Sequence, residues 1–279
     1  MDFDKAKRLG QGRDVAINDD GDRGPQRLLE LAGVTKSFGA MKAVDDVSFA
    51  VSAGSITGLI GPNGAGKTTL FNAIAGESAI DGGEIRFAGD RVDGLAPYRI
   101  FERGIARTFQ IPRPFPGMTV LENVMLAPKA QAGERFWNTW LRPGLVARQE
   151  RHNSERARSV IEFCGLSPVE RQLAGAISGG QQKLLELARA LMVDPRLILL
   201  DEPAAGVNPA LLDTLVDKIV ELNARGITFL VIEHNMDMVM SLCDPLVVMA
   251  QGRVIAQGPA SAVAADQRVI EAYLGDVAA

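Results

Sequence analysis

The stretch Gly61-Pro62-Asn63-Gly64-Ala65-Gly66-Lys67-Thr68-Thr69 has the spacing of a phosphate cradle: a glycine, four residues, then Gly-Lys-Thr. Glycines allow a tight turn and a close approach of main chain to ligand, so that successive N–H groups can face phosphate oxygens. The Lys67 ammonium suits the β- and γ-phosphates of a nucleotide, and the Thr68 hydroxyl suits Mg²⁺. Further along, Leu197-Ile198-Leu199-Leu200 runs into Asp201 and Glu202. Such a run is a fully buried parallel strand that delivers its acids at the C-terminal edge of a sheet. Asp201 there suits the metal shell, and Glu202 suits polarising an attacking water. Either cluster alone has a bland explanation; together they specify hydrolysis of a nucleoside triphosphate.

The elements around these residues agree. Ile56 to Ile60 reads as a strand entering the glycine loop, and Thr69 to Ala75 as the helix leaving it, whose positive end favours phosphate. Leu28 to Val34 and Ala43 to Val51 read as strands, with Val47, Phe49 and Val51 alternating on one face. Phe38 falls between them, where it could stack on an adenine ring or be an ordinary loop or core aromatic. Gly82 to Phe87 gives a turn and strand, and Pro97 to Arg103 a short helix ended by Gly104. Ile105 to Gln110 reads as a strand opening into a loop with Pro112, Pro114 and Pro116. Gln110 thus stands at a strand exit, where a side chain could touch metal and transmit strain.

Thr119 with Glu122 forms the capping-box pattern of a helix start. Residues 128 to 163 read as mostly helical and polar, with Phe136, Trp137 and Trp140 as an aromatic stripe that either packs against helices or docks a partner. Ser178-Gly179-Gly180-Gln181 opens the next helix, a second terminus suited to an anion or simply a capped one. Pro209 to Asn223 is helical, Thr228 to Ile232 a strand, and His234 leaves that strand, either hydrogen-bonding a γ-phosphate or water or satisfied structurally. Leu246 to Ala250 and Val254 to Gln257 form a hairpin-like pair, and Asp266 to Leu274 a last helix closed by Gly275.

Composition narrows the function classes. Thirty Lys and Arg against 34 Asp and Glu give a net charge of −4, which argues against nonspecific nucleic-acid binding. No run reaches the roughly 18 uncharged apolar residues of a membrane span. Residues 1 to 26 read as a flexible, polar extension without the apolar core of a secretory signal. The expected location is therefore cytoplasmic unless a partner holds the chain at a membrane. Cys164 and Cys243 lie far apart, outside any metal-ligand spacing, and read as reduced, packed thiols.

In their order along the chain these motifs resemble the ATP-binding cassette (ABC) family, over roughly Leu28 to Leu274. The resemblance implies an α/β fold: a P-loop, RecA-like parallel-sheet core with an N-terminal antiparallel β subdomain. A helical subdomain at about 111–193 lies within an ATPase domain of 27–275, followed by a short tail at 276–279. It assigns Phe38 to adenine stacking, residues 61 to 69 to the Walker A loop, and Gln110 to the glutamine loop with metal and catalytic roles. Ile177 to Gln181 becomes the signature sequence, Asp201 and Glu202 become Walker B with its catalytic glutamate, and His234 becomes the switch histidine. The leading Leu of the signature is Ile177, a volume-conserving change. Asn208 stands where the loop after Walker B normally carries Asp, which removes a charge that helps the two sites communicate.

Ala204-Ala205-Gly206-Val207-Asn208-Pro209, Ile232 to Met236, the long insertion near 128 to 163 and Val269 to Gly275 look like the ATPase subunits of branched-chain amino acid importers. Subunits serving urea uptake or lipopolysaccharide export share much of this pattern. The resemblance implies ATP and Mg²⁺, and a second cassette, identical or related, paired head to tail with each ATP shared. It further implies a permease that holds the chain at the cytoplasmic side of the membrane, and a substrate-binding protein acting indirectly. ABC switch proteins acting on ribosomes or DNA are the alternative class. They generally carry two cassettes per chain or long coiled coils, whereas this chain has one Walker A loop and no sustained heptads.

Overall fold

The computed structural model describes residues 26–108, 113–128 and 143–275. Two sheets form the frame. The first is antiparallel, in the order β2-β1-β4-β5, from β1 (Arg27–Phe38), β2 (Met41–Ser52), β4 (Gly82–Phe87) and β5 (Asp90–Arg91). The second follows the order β10-β9-β3-β8-β7-β6. Its strands are β3 (Ile56–Ile60), β6 (Ile105–Arg107), β7 (Leu197–Asp201), β8 (Thr228–Ile232), β9 (Leu246–Ala250) and β10 (Arg253–Gly258). All of its pairings are parallel except the β9–β10 hairpin.

Strands β3, β7 and β8 are buried at every position, as strands covered on both faces must be. Their side chains alternate between two cores. Leu59, Leu199, Leu230 and Met249 face the antiparallel sheet and helix α1 (Lys67–Ile74). Ile60, Leu200, Val231 and Val248 face the opposite layer, which contains α4 (Pro143–Phe163), α5 (Gly179–Leu191), α6 (Pro209–Ala224) and α7 (Met236–Leu242). Burying each large apolar side chain contributes about 1.5–3 kcal/mol, so this double-sided packing fixes strand register firmly. Short helix α2 (Pro97–Glu102) precedes β6, α3 (Val120–Met125) packs in the same layer as α4 and α5, and α8 (Ala260–Ala264) and α9 (Gln267–Gly275) end the described chain. Among the described residues no helix is long and apolar enough to cross a membrane.

Several expectations need adjusting. The strand from Ile105 stops at Arg107, and Phe109 to Pro112, including Gln110, lie outside the described residues. The aromatic stripe of Phe136, Trp137 and Trp140 does so too. Phe38 is not between strands but is the last residue of β1, paired with Met41 across a tight turn. The helix after the glycine loop begins at Lys67, so Lys67 and Thr68 belong to its first turn. Gly275 lies within α9 rather than after it. Gln26 is already tied to the sheet, its carbonyl accepting from the Ala53 N–H at 2.8 Å.

Candidate functional site

Strand register sets the site. Leu59 pairs with Ile232 and Asp201 pairs with Ile232 from the other side, so β3, β8 and β7 end level. The segments leaving these strands therefore meet at one edge: the glycine loop after β3, Glu233 and His234 after β8, Asp201 and Glu202 at the end of β7. Ligands of parallel α/β sheets bind at this carboxyl edge.

The loop needs its glycines. Gly61 (φ 148°) and Gly66 (φ 96°) press against neighbouring backbone, and a Cβ would run into the Met249 carbonyl at the first and the Ala43 carbonyl at the second. Gly64 (φ 75°) differs, since a Cβ there meets nothing within 4 Å. Gly66 caps α1 without any side-chain hydrogen bond, so the first-turn N–H groups, Thr68 and Thr69 among them, have no side-chain cap, whereas Ser178, Asn208 and Asn235 cap their helices. An uncapped N-terminus with the positive end of a helix dipole is suited to phosphate. Lys67 is buried, and its Nζ donates to the carbonyls of Gly61 (2.7 Å) and Pro62 (2.8 Å). The ammonium is thereby held in the curve of the loop.

At β7, Asp201 is only 4% exposed. Its Oδ2 accepts from Arg107 Nη2 at 2.9 Å. Glu202 adopts φ 48°, a left-handed conformation that costs an L residue on the order of 1 kcal/mol. Its neighbours enforce it: the Glu202 N–H donates to the Ile232 carbonyl at 2.9 Å, and the Glu202 carbonyl accepts from Lys183 Nζ at 2.7 Å. The turn aims the side chain at His234, whose Nε2 lies 3.1 Å from Glu202 Oε1. Burial lowers the Lys183 pKa, opposed by the carboxylates of Glu233, Glu186, Glu202 and Asp201.

Three groups escaped the sequence reading. Lys183 lies one turn before Leu187 on the buried side of α5, so a charge at an apolar position was the available signal. Glu233, beside His234, is only 3% exposed. It accepts backbone N–H donors from Ala204 (2.6 Å), His234 (2.8 Å) and Asn235 (2.9 Å), binding the loop after Glu202 to the segment after β8. An acid directly after an apolar strand, as in Leu200-Asp201, was the overlooked sign. Arg107 is the third.

Ser178 and Gln181 bond reciprocally: the Ser178 Oγ accepts from the Gln181 N–H at 3.3 Å, and the Gln181 Oε1 accepts from the Ser178 N–H at 3.0 Å. Gly180 packs where a Cβ would meet the Leu211 side chain, while Gly179 is open. Asn208 caps α6, its Oδ1 accepting from the Leu211 N–H at 2.9 Å. Asn caps as well as Asp, so the change at this position keeps the helix start and drops only the charge. Phe38 is 55% exposed, which removes the core-aromatic reading, and Lys36 Nζ lies 5.4 Å from its ring centroid.

A glycine loop on one strand, and a carboxylate pair two strands away joined to it through a histidine strand, define a P-loop nucleotide hydrolase. The comparisons take this further. Residues 44–205 match the family described as ABC transporter, and residues 253–279 match a family described as branched-chain amino acid ATP-binding cassette transporter. The chain is 41% identical, over 89% of its length and 96% of the relative, to the probable branched-chain amino acid transport ATP-binding protein LivG of Archaeoglobus fulgidus. It is 39% identical, over 89% of its length and 98% of the relative, to the high-affinity branched-chain amino acid transport ATP-binding protein BraF of Pseudomonas aeruginosa. A crystal structure of a nucleotide-free ATP-binding cassette from an ABC transporter superposes with a TM-score of 0.78 at 39% identity, covering 89% of this chain and 99% of that one. An ADP-bound cassette gives 0.75 at 39% identity, covering 90% and 99%. The chain belongs to the ABC transporter family, as an ATP-binding subunit with ATPase activity.

Proposed function

We propose that this chain hydrolyses ATP to drive import of branched-chain amino acids through a membrane permease. The observation that carries the hydrolytic half is the level ending of β3, β8 and β7, which gathers Lys67, Asp201, Glu202 and His234 at one edge. The solute follows from the C-terminal match at 253–279 and from the named relatives.

In this reading the N–H groups of residues 61 to 69 and the Lys67 ammonium bind the β- and γ-phosphates, and the exposed Phe38 stacks on adenine. Among the described residues no cluster of three or more His, Cys, Asp or Glu could hold a metal unaided. Thr68 and Asp201, with Gln110, supply few protein oxygens, which fits Mg²⁺, a cation bound by one or two carboxylates together with substrate phosphates. When bound it offsets charge on the phosphoryl oxygens. Glu202 orients and deprotonates the attacking water, and His234 holds that carboxylate and the γ-phosphate in line.

The ATPase domain spans 27–275, and its helices between about 111 and 193 form an arm carrying Ser178 to Gln181. That arm meets the ATP of a second cassette, identical or related, so one copy holds half of each site. A groove of about 420 Å³ that combines apolar Phe101 and Leu126 with charged Glu77, Arg107, Glu186 and Arg189 is suited to a permease loop. It holds the subunit at the cytoplasmic side of the membrane, with a substrate-binding protein acting through the permease.

Reconstitution tests this reading. The subunit, co-purified with its permease in proteoliposomes, is expected to hydrolyse ATP faster when leucine and a binding protein are supplied. Stimulation by urea instead, or recovery with ribosomes and no permease, would replace it.

A further inference from the structure

Arg107 ends β6 opposite Leu199, two residues short of Asp201 on the neighbouring parallel strand. Side chains of alternate residues share a face, so Arg107 points toward the layer that contains Leu199, Asp201 and helix α1. The two terminal nitrogens of its guanidinium use that placement. Nη2 donates to Asp201 Oδ2 at 2.9 Å, and Nη1 donates to Asn72 Oδ1 at 2.7 Å and to Glu77 Oε2 at 3.0 Å. The guanidinium carbon also lies 6.0 Å from the Phe71 ring centroid. Asn72 and Phe71 belong to α1, the helix that starts at Lys67. Both partners of the Arg107–Asp201 bridge are buried, with side chains 9% and 5% exposed.

We propose that Arg107 is a positioning residue for Asp201, fixing the metal-binding carboxylate against the helix of the phosphate loop. The proposal rests on the reading of Asp201 as a cation ligand. Thr68, in the first turn of α1, and Asp201, at the end of β7, would hold the cation from different elements, and no backbone hydrogen bond of the sheet sets the rotamer of either side chain. The planar fork of Arg107 does so for Asp201, because one head group spans Asp201 and Asn72 simultaneously. Glu77 offsets the guanidinium charge, so the Arg107–Glu77–Asp201 group stays net negative beside the proposed cation site. Residues that hydrogen-bond a ligating carboxylate typically alter metal affinity 10- to 100-fold when changed.

The test uses the full chain with ADP, which avoids turnover, and Mn²⁺ as the probe, its binding followed by electron paramagnetic resonance. Arg107→Gln is expected to weaken Mn²⁺ binding about ten-fold or more, with ADP affinity in EDTA within two-fold of the parent. Arg107→Lys, which keeps the charge but cannot span both partners, is expected to fall between. Parental Mn²⁺ affinity in an Arg107→Gln protein that melts like the parent overturns the proposal. Should Arg107→Gln not fold, Asn72→Ala carries the test: it frees the fork from α1 and is expected to weaken Mn²⁺ by a smaller factor, and no change in both Asn72→Ala and Arg107→Lys overturns the proposal. Asp201→Asn separates the two levels. If it leaves Mn²⁺ affinity unchanged, the cation-ligand reading falls; if it weakens Mn²⁺ while the Arg107 variants do not, only the role of Arg107 falls.

Discussion

Nε2 of His234 lies 3.1 Å from Oε1 of Glu202, although the two residues leave different strands. The contact exists because Asp201 pairs with Ile232, which brings the residues following β7 and β8 to the same height. The left-handed turn at Glu202 then swings its carboxylate sideways toward β8 rather than onward along β7. A carboxylate held this way can accept a proton from water while the imidazole keeps it from rotating. Glu202→Gln preserves the shape and removes the carboxylate proposed as the base. Hydrolysis is expected to fall by roughly 10²–10⁴-fold with ATP binding retained, and an ATP-bound dimer should accumulate on size-exclusion chromatography. Near-parental turnover would remove Glu202 from the role of base.

Ser178 makes a second prediction possible because its structural and proposed functional roles can be separated. As N-cap of α5 it accepts from Gln181, and losing a cap costs about 1 kcal/mol. Ser178→Ala is therefore expected to lower stability by about that amount while leaving room for a neighbouring cassette. Ser178→Arg loses the same cap and adds bulk and charge beside Gly179. It should bind ATP as a monomer with near-parental affinity yet fail to dimerise. Dimers of Ser178→Arg at ATP concentrations that pair the parent would argue against a shared site.

Some of this arrangement was legible in the sequence, for identifiable reasons. Glycine spacing encodes backbone shape directly, so the loop at 61–69 was readable, and Gly61 and Gly66 indeed occupy positions that exclude a Cβ. The Thr119–Glu122 capping box is local, and the helix starts there as expected. The apolar run ending in Asp201 and Glu202 announced a buried strand through composition alone, and it is buried throughout. The partners of Arg107 and Lys183 were not legible because they come from the tertiary arrangement. Arg107 meets Asp201 across 94 residues and Lys183 meets Glu202 across 19. No pattern within either segment specifies which strand lies beside it. Helix α7 was missed for another reason: at seven residues, Met236–Leu242, it is too short to show a helical period.

Glu233 supplies the third prediction. A buried carboxylate accepting three backbone N–H groups is a staple between the loops after β7 and β8. Hydrogen bonds to a charged group contribute about 1.5–3 kcal/mol each, and the three share one acceptor group, so the sum is not additive. Glu233→Ala is expected to lower the stability measured by urea unfolding by about 3 kcal/mol and to slow hydrolysis, since Ala204 and the His234 backbone lose their common anchor. Glu233→Gln keeps one acceptor oxygen and should lie between. A Glu233→Ala protein as stable and active as the parent would mean the staple contributes nothing.

The two cysteines give the last prediction its pH dependence. Cys164 and Cys243 are buried and free of disulfides, and burial pushes each thiol from an ordinary 9.0 up to about 12. The folded value exceeds the unfolded one, so the contribution to stability is complete below pH 9. It is lost as pH rises from 9 toward 12, because the unfolded thiols ionise first. At pH 10 each thiol should account for lost stability on the order of 1 kcal/mol. Urea unfolding between pH 8 and 10 measures this, with Cys164→Ala and Cys243→Ala each expected to flatten the slope by about half of the thiol-dependent part. Slopes rather than absolute stabilities are compared because either substitution also leaves a small cavity. The same burial should protect both thiols from alkylation at pH 8 in the folded protein and expose them in urea. Rapid alkylation of Cys164 or Cys243 without denaturant would show that the thiol is reached by solvent and that the raised value does not hold.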